Sequence, residues 1–383
     1  MNGNSETPVG NLESDAMNPE TLRARAVRLV RVGILIAAIG YPLIAIVKGK
    51  ALVEIAQLDG KPLQIEFAGG RLFLLDEGPS GNARRILMYR RPGRTPRTLC
   101  RGAGISRFAT DGKWVYFLEF TAGTLNRLRV RTGNAETLVS GLVNPGDIIL
   151  DRRRVAWTET HDHSVTGIHT VPALMPLTTL RVMERKSRPV QPRVLAAFET
   201  DSRQFNGELA ALDNRRIAWL TIPMVAPTLS RGNLYTRALK GGELRTVSKD
   251  SGLQSAAARG TRVYWSAVCD EAANPASFAT VYCTDTRKGS PSIFADWLPP
   301  AGKLFSVGRR IYYVSPTAAF RLLGDRRVTQ VAEMKGGVGG LACLTPHNIY
   351  CVEQYGDPQG PKYRAMRYPV SGFAWVRNAV GRL

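Results

Sequence analysis

Beyond residue 60 the chain alternates short apolar runs with turns of Gly, Asp, Asn and Arg, and one pattern of positions recurs. A turn is followed by a β-branched residue or Leu, then an aromatic or small residue, another bulky residue, and a polar one. The copies read GGRLFLLD, DGKWVYFLE, DRRRVAWTE, DNRRIAWLT, RGTRVYWSA, VGRRIYYVS and TPHNIYCVE. Apolar runs this short, closed by turn residues at both ends, predict strands rather than helices. Their leading apolar positions are Leu72, Val115, Val155, Ile217, Val263, Ile311 and Ile349, spaced 38 to 48 residues apart except for one interval of 62. A period of about 40–45 residues is that of a four-stranded propeller blade.

Each unit divides into four short strands. The second reads SRFATD, KWVYFLE, TLNRLRVR and AETLVS, and the fourth repeats the plan as ELAALD, RRIAWLT, NLYTRALK and ELRTVSK. A four-stranded sheet of this length cannot bury both faces alone, so radial stacking supplies the core and leaves only short edges. The expected fold is an all-β, seven-bladed β-propeller over residues 60–378, with six or eight blades as alternatives. VAWTE at Val155 to Glu159 and VYWSA at Val263 to Ala267 resemble the Tyr-Trp-Thr-Asp repeat propellers and, more broadly, the TolB-like propellers. The resemblance covers about four fifths of the chain and implies architecture rather than a reaction. That repeat family usually builds six blades, and the seven copies depart from it.

Ahead of the repeats, residues 1–22 are polar and read as a disordered cytoplasmic tail. Residues 23–50 read as a transmembrane signal anchor. The uncharged run Val32 to Val47, extended by Leu29 and Val30 if Arg31 snorkels, approaches the roughly 20 residues that span a bilayer. Arg23, Arg25, Arg28 and Arg31 precede the run, and only Lys48 and Lys50 follow it. This bias places the N-terminus in the cytoplasm and the repeats outside, on the periplasmic or extracellular side of an inner membrane. A cleaved signal peptide is the competing reading, but the residues after the run are Lys-Gly-Lys rather than a small-x-small site.

The net charge of +21 favours anionic partners. The five cysteines fit an oxidising compartment if Cys269 pairs with Cys283 and Cys343 with Cys351 across adjacent strands, leaving Cys100 over; the alternative is that all five are reduced and half-buried.

The last position of each recurrent phrase holds Asp76, Glu119, Glu159, Thr221, Ala267, Ser315 and Glu353. In a closed ring Glu353, Asp76, Glu119 and Glu159 come from four consecutive blades and form an acidic arc. In the resembling family the corresponding acid is largely structural, tying blades together, whereas a cation site is the sharper alternative. The long interval after the third phrase reads as an inserted loop, HDHSVTGIHTVPALMPL, with the third strand following at TTLRVMERK. If the second strand runs on to His163, period-two alternation aims Glu159, His161 and His163 the same way, a set able to hold zinc or a similar divalent cation. Asp162 lies among them, and His169 is a further candidate ligand. A solvated loop tip is the plainer reading. The next unit carries the apolar loop IPMVAPTLSRGN, whose Met224 and Val225 either form an interaction surface or fold back on a neighbouring blade.

The run from Arg84 to Arg107 holds eight arginines. It reads as a solvated basic rim, or as a contact with anionic lipid or an anionic envelope polymer. Nucleic acid is not expected, because the aromatics sit at core-facing repeat positions rather than as a stacking platform. Gly336 to Gly340 lacks the Lys-Ser/Thr of a P-loop, and no Gly-x-Ser-x-Gly elbow occurs. The reading that follows is a membrane-anchored propeller binding an envelope protein or polymer, non-enzymatic and without a cofactor. The alternative is a divalent-metal-dependent, lactonase-like hydrolase drawing on Glu119, Glu159 and Glu353.

Overall fold

Each recurrent phrase is the second strand of a four-stranded antiparallel sheet, and there are seven such sheets. The computed structural model describes residues 52–370, apart from 166–172, 187–189, 200–204, 213–215, 224–230, 242, 270–277, 287–289, 335–336 and 357–359, and apart from some strand side chains. The expected tail and the apolar run Val32 to Val47 lie outside the described residues. Among those described, every regular element is a strand, and no helix is long and apolar enough to cross a membrane.

Blade one shows the plan: Pro62–Ala68 innermost, then Arg71–Asp76, Arg84–Tyr89, and Arg97–Gly102 outermost. Six blades follow this order. The seventh is built from both ends of the ring: Gly337–Leu344, Asn348–Tyr355 and Lys362–Pro369 supply its three inner strands, and Val53–Leu58 its outermost one. The ring therefore takes in residues 53–58, ahead of the range read from sequence. No repeat signal marks this strand, because it stands alone rather than within a unit.

The second strands are almost continuously apolar because both of their faces are covered. Period two divides each phrase between two cores. Leu72 and Leu74 pack toward blade seven with Tyr350 and Val352, whereas Phe73 and Leu75 pack toward blade two with Phe108 and Phe117. Val155 and Trp157 face blade two, and Ala156 faces blade four. Seven such clusters occur among the described residues, one for each pair of neighbouring blades. One lies between blades seven and one, so the ring is closed. Burying a side chain such as Trp157, fully enclosed here, stabilises by about 2–3 kcal/mol.

Polar side chains of the inner strands tie blades in pairs. The Gln64 amide group donates to the Phe108 carbonyl at 2.6 Å and accepts from the Phe108 N–H at 3.0 Å. Glu66 accepts from Thr110 N–H, Asp147 from Leu209 N–H, and Ser255 Oγ from Leu304 N–H. These contacts satisfy backbone groups that an inner strand has no further strand to pair with. Arginines do the same farther out. Arg71 donates to Gly112 O, Arg84 to Ile105 O, Arg97 to Val130 O, Arg127 to Arg185 O, and Arg245 to Thr286 O, each reaching the next blade. At the first of these ties Gly69 and Gly112, both at positive φ, bring two turns so close that a Cβ on Gly112 would lie 2.7 Å from Gly69 Cα.

The 62-residue interval is a lengthened hairpin rather than an inserted loop. Arg154–Val165 and Ala173–Glu184 stay paired along their full lengths, from Arg154↔Glu184 to Val165↔Ala173. The residues HDHSV and ALMPL thus extend the second and third strands of blade three. The backbone hydrogen bonds of a continued ladder, with Thr and Val among its residues, make this the better solution than a seventeen-residue loop with unpaired amides.

Candidate functional site

The acidic arc occupies one register position. Asp76, Glu119, Glu159 and Glu353 stand opposite Pro62, Ile105, Pro145 and Gly337 of their own inner strands. Three of the four carboxylates are engaged by an arginine of the same blade. Arg85, directly across the ladder from Asp76, donates Nε–H to Oδ1 at 2.9 Å and Nη2–H to Oδ2 at 2.6 Å. Asp76 is completely buried. Arg85 also reaches Asp59, whose carboxyl its hydrogen bond holds below the usual range, and the two acids raise the guanidinium's own pKa. Arg364 faces Glu353 and donates Nε–H to Oε2 at 3.0 Å, while Tyr368 O–H donates to Oε1. Glu159, also buried, accepts from Trp157 Nε1–H at 2.8 Å and lies 2.9 Å from Arg181 Nε. Glu119 faces Thr124 and is half-buried.

His161 Nε2 lies 3.4 Å from Glu159 Oε2, as the alternation of the strand requires. Asp162 and His163 are on the same strand, their backbones opposite Pro176 and Met175, but their side chains lie outside the described residues. So do His169, Met224 and Val225. Among the described residues, no group of three His, Cys, Asp or Glu side chains is placed to hold a metal ion.

Neither expected cysteine bridge forms. Cys343 faces Tyr350 and Cys351 faces Ala342, so the two are one step out of register and point to opposite sides of the sheet. Cys343 belongs to the core shared with blade one, and Cys351 to the core shared with blade six. Cys269 faces Phe278 whereas Cys283 faces Tyr264, five rungs away, which at about 3.4 Å per residue is far beyond bridging distance. Cys100, Cys283, Cys343 and Cys351 are free thiols. Burial pushes Cys100 and Cys351 up to about 12, so they are poor nucleophiles.

The turns at this end of the blades, joining second to third strands and one blade to the next, expose apolar residues. Phe120 is 54% exposed and Val143 40%. The two sit on turns beside the base of the long hairpin, where Thr160 N–H donates to Val143 O. Trp297 on blade five is 72% exposed and packs edge-on against Phe278.

A second polar constellation lies on the inner strands around the axis, where Glu66, Asp147 and Lys303 interact from blades one, three and six. Burial raises the Glu66 carboxyl to about 8, against the Thr110 N–H that stabilises its charged form; Asp147 raises it further and Lys303 opposes. None of these was expected as a site residue. The sequence signal available was the alternation of polar with apolar residues in LQIEF, on a strand that otherwise reads as core.

Together, seven radial sheets, seven interblade cores and a last blade completed by the N-terminal strand define a β-propeller. Among solved structures the chain resembles an oligogalacturonate lyase from Vibrio parahaemolyticus, with a TM-score of 0.55, 13% identity, and 82% of this chain and 93% of that one covered. It also resembles the acylaminoacyl peptidase of Pyrococcus horikoshii, with a TM-score of 0.54, 13% identity and 84% of this chain covered, the match spanning 54% of the peptidase. A third similar structure is the hydrazine synthase of Kuenenia stuttgartiensis, with a TM-score of 0.51, 13% identity and coverages of 78% and 94%. At this identity the likeness is one of fold. No protein-family model and no curated protein matches the sequence.

Proposed function

We propose that the chain is a membrane-anchored, extracytoplasmic propeller that serves as a non-enzymatic binding module for an envelope protein or polymer. The observation that carries this reading is the pairing of the acidic arc. Asp76, Glu159 and Glu353 each meet an arginine of their own blade, so they act as hairpin locks rather than as a shared set of metal ligands. Exposed Phe120 and Val143 beside a protruding hairpin supply the kind of apolar, partly aromatic surface that protein partners use. The anchor rests on Val32 to Val47 and its arginine-rich flank.

The second reading, a metal-dependent hydrolase, rests on the Glu159–His161 contact of 3.4 Å, with His163 two residues farther along. Metal analysis after dialysis separates the two. A fragment from residue 51 is expected to retain no stoichiometric divalent ion and to melt at the same temperature with and without zinc or calcium. One bound ion per chain, lost in His161→Ala, overturns the binding-module reading. For the anchor, deletion of residues 1–50 is expected to move the protein from the membrane to the soluble fraction.

A further inference from the structure

In a four-stranded antiparallel blade, the turns joining first to second and third to fourth strands lie at one end, and all remaining connections lie at the other. The inner strands run the same way around the ring, so these become two faces of the propeller. Among the described residues their turns differ in charge. On the face carrying the acidic arc, the charged residues of the described turns are Asp59, Lys61 and Glu77. The opposite face exposes Arg90, Arg91 and Arg94 in one turn of blade one, and Lys113, Arg131 and Lys240 on blades two and four. Nearer the axis it exposes Arg152 and Arg153 on blade three and Arg309 and Arg310 on blade six. Of the acids on this side, Asp111 is paired with Arg185 and Glu184 with Arg154, Asp151 lies 3.8 Å from Arg154, and Glu243 and Asp325 are exposed, so the described cations outnumber the acids.

Between blades five and six the same side holds a groove of about 310 Å³ lined by Arg259, Arg262, Arg309, Arg310 and Arg321 with Tyr264, and by no carboxylate. Arg259 donates to Arg309 O at 2.5 Å, and the adjoining pocket that shares Arg262 adds Asp285 and Asp325; the guanidiniums that line the groove itself suit the oxygens of a phosphate group. The chain also enters the propeller on this face. Val53, first residue of the ring-closing strand, pairs with Arg367 near the end of Lys362–Pro369, the end where third strands turn outward. Only five residues separate it from Val47, the end of the apolar run.

We propose that this arginine-rich face docks on an anionic lipid surface, with the groove between blades five and six seating a lipid phosphate. The inference rests on the anchor reading above, which brings a bilayer to within five residues of Val53 along the chain. Phe120, Val143 and the long hairpin belong to the other face.

Two measurements test it. The 51–383 fragment contains every strand and every interblade core described here, and is expected to sediment with phosphatidylcholine vesicles doped with phosphatidylglycerol but not with pure phosphatidylcholine. Binding should weaken with salt. Arg152→Glu, Arg153→Glu, Arg309→Glu and Arg310→Glu together should weaken it on the order of a hundredfold or more, while Lys61→Glu with Lys362→Glu should not. In the full chain held in nanodiscs, lysine acetylation read by mass spectrometry should slow at Lys113 and Lys240 when the lipid is anionic, with Lys61 and Lys362 unchanged. Equal binding to both vesicles, indifference to the four reversals, or protection of Lys61 instead of Lys113 overturns the proposal. So does binding to a soluble anionic polysaccharide in preference to the vesicles. A full chain that never enters nanodiscs defeats the anchor alone, and the vesicle result stands separately.

Discussion

The side chain of Gln64 pairs with the backbone of Phe108 as a neighbouring strand would, giving one hydrogen bond of 2.6 Å and receiving one of 3.0 Å. Blade one thereby extends its sheet into blade two by a single side chain. Gln64→Ala leaves both Phe108 groups without this partner, and is expected to cost about 2 kcal/mol. Urea denaturation of the purified propeller checks this: the midpoint falls, and the slope stays constant if the ring still unfolds as one unit.

Asp76 and Arg85 form the most enclosed ion pair among the described residues. Removing one partner strands the other, so Asp76→Ala is expected to destabilise by about 3–5 kcal/mol. The double variant Asp76→Leu, Arg85→Met removes both charges and should recover part of that loss, although Asp59 then loses its partner. A double-mutant cycle by guanidinium denaturation measures the coupling. Additive single losses would mean that the pair is not a unit.

Glu66 makes stability depend on pH. In the unfolded chain its carboxyl ionises near 4.5, whereas in the folded ring it holds its proton to about 8. Between these values the folded state binds more protons, so this contribution declines as pH rises from about 4.5 and levels off above about 8. Glu66→Gln removes that decline. The difference in unfolding free energy between variant and wild type should shift in favour of the variant by on the order of 2 kcal/mol from pH 5 to pH 8.5, after solvent screening of the half-buried Glu66. A constant difference across that range would place the Glu66 pKa in the ordinary carboxylate range.

The thiols at Cys100, Cys283, Cys343 and Cys351 predict indifference to reductant. Thermal unfolding with and without dithiothreitol should coincide, and mass spectrometry after alkylation in denaturant should show all four modified without prior reduction. A melting temperature that drops by several degrees in reductant would require a bridge that the strand register forbids.

The blades were legible in the sequence because their second strands are buried on both faces, and double burial demands a run such as RLFLLD or RRIAWLT whose composition survives from copy to copy. The equivalence of Asp76, Glu119, Glu159 and Glu353 followed from the same register. Their neutralisation did not, because the arginines that meet them lie on third strands at separations that vary from Arg85 to Arg181 to Arg364. The cysteines show a related limit. Cys343 and Cys351 do lie on adjacent strands, but a one-residue offset turns them to opposite faces, and that offset depends on the turn between them. The basic run from Arg84 to Arg107 is a solvated rim at Arg90, Arg91, Arg94, Arg101 and Arg107, which are exposed, but composition records charge and not what each residue touches. Arg84, Arg85 and Arg97 in fact hold a carbonyl of the next blade or a buried acid.

The strand Val53–Leu58 is among the first parts of the ring to leave the ribosome, and its partner Lys362–Pro369 is the last. Throughout synthesis it is an orphan edge, with its amides and carbonyls waiting for a mate some three hundred residues away. Its sequence VEIAQL suits that wait. Ile55 is the only one of its six side chains that ends up fully buried, and Glu54 and Gln57 break any longer apolar run, which keeps the nascent edge from recruiting the wrong strand. A chain truncated anywhere before residue 362 should therefore emerge with an unclaimed edge for the quality-control machinery of the cell to recognise.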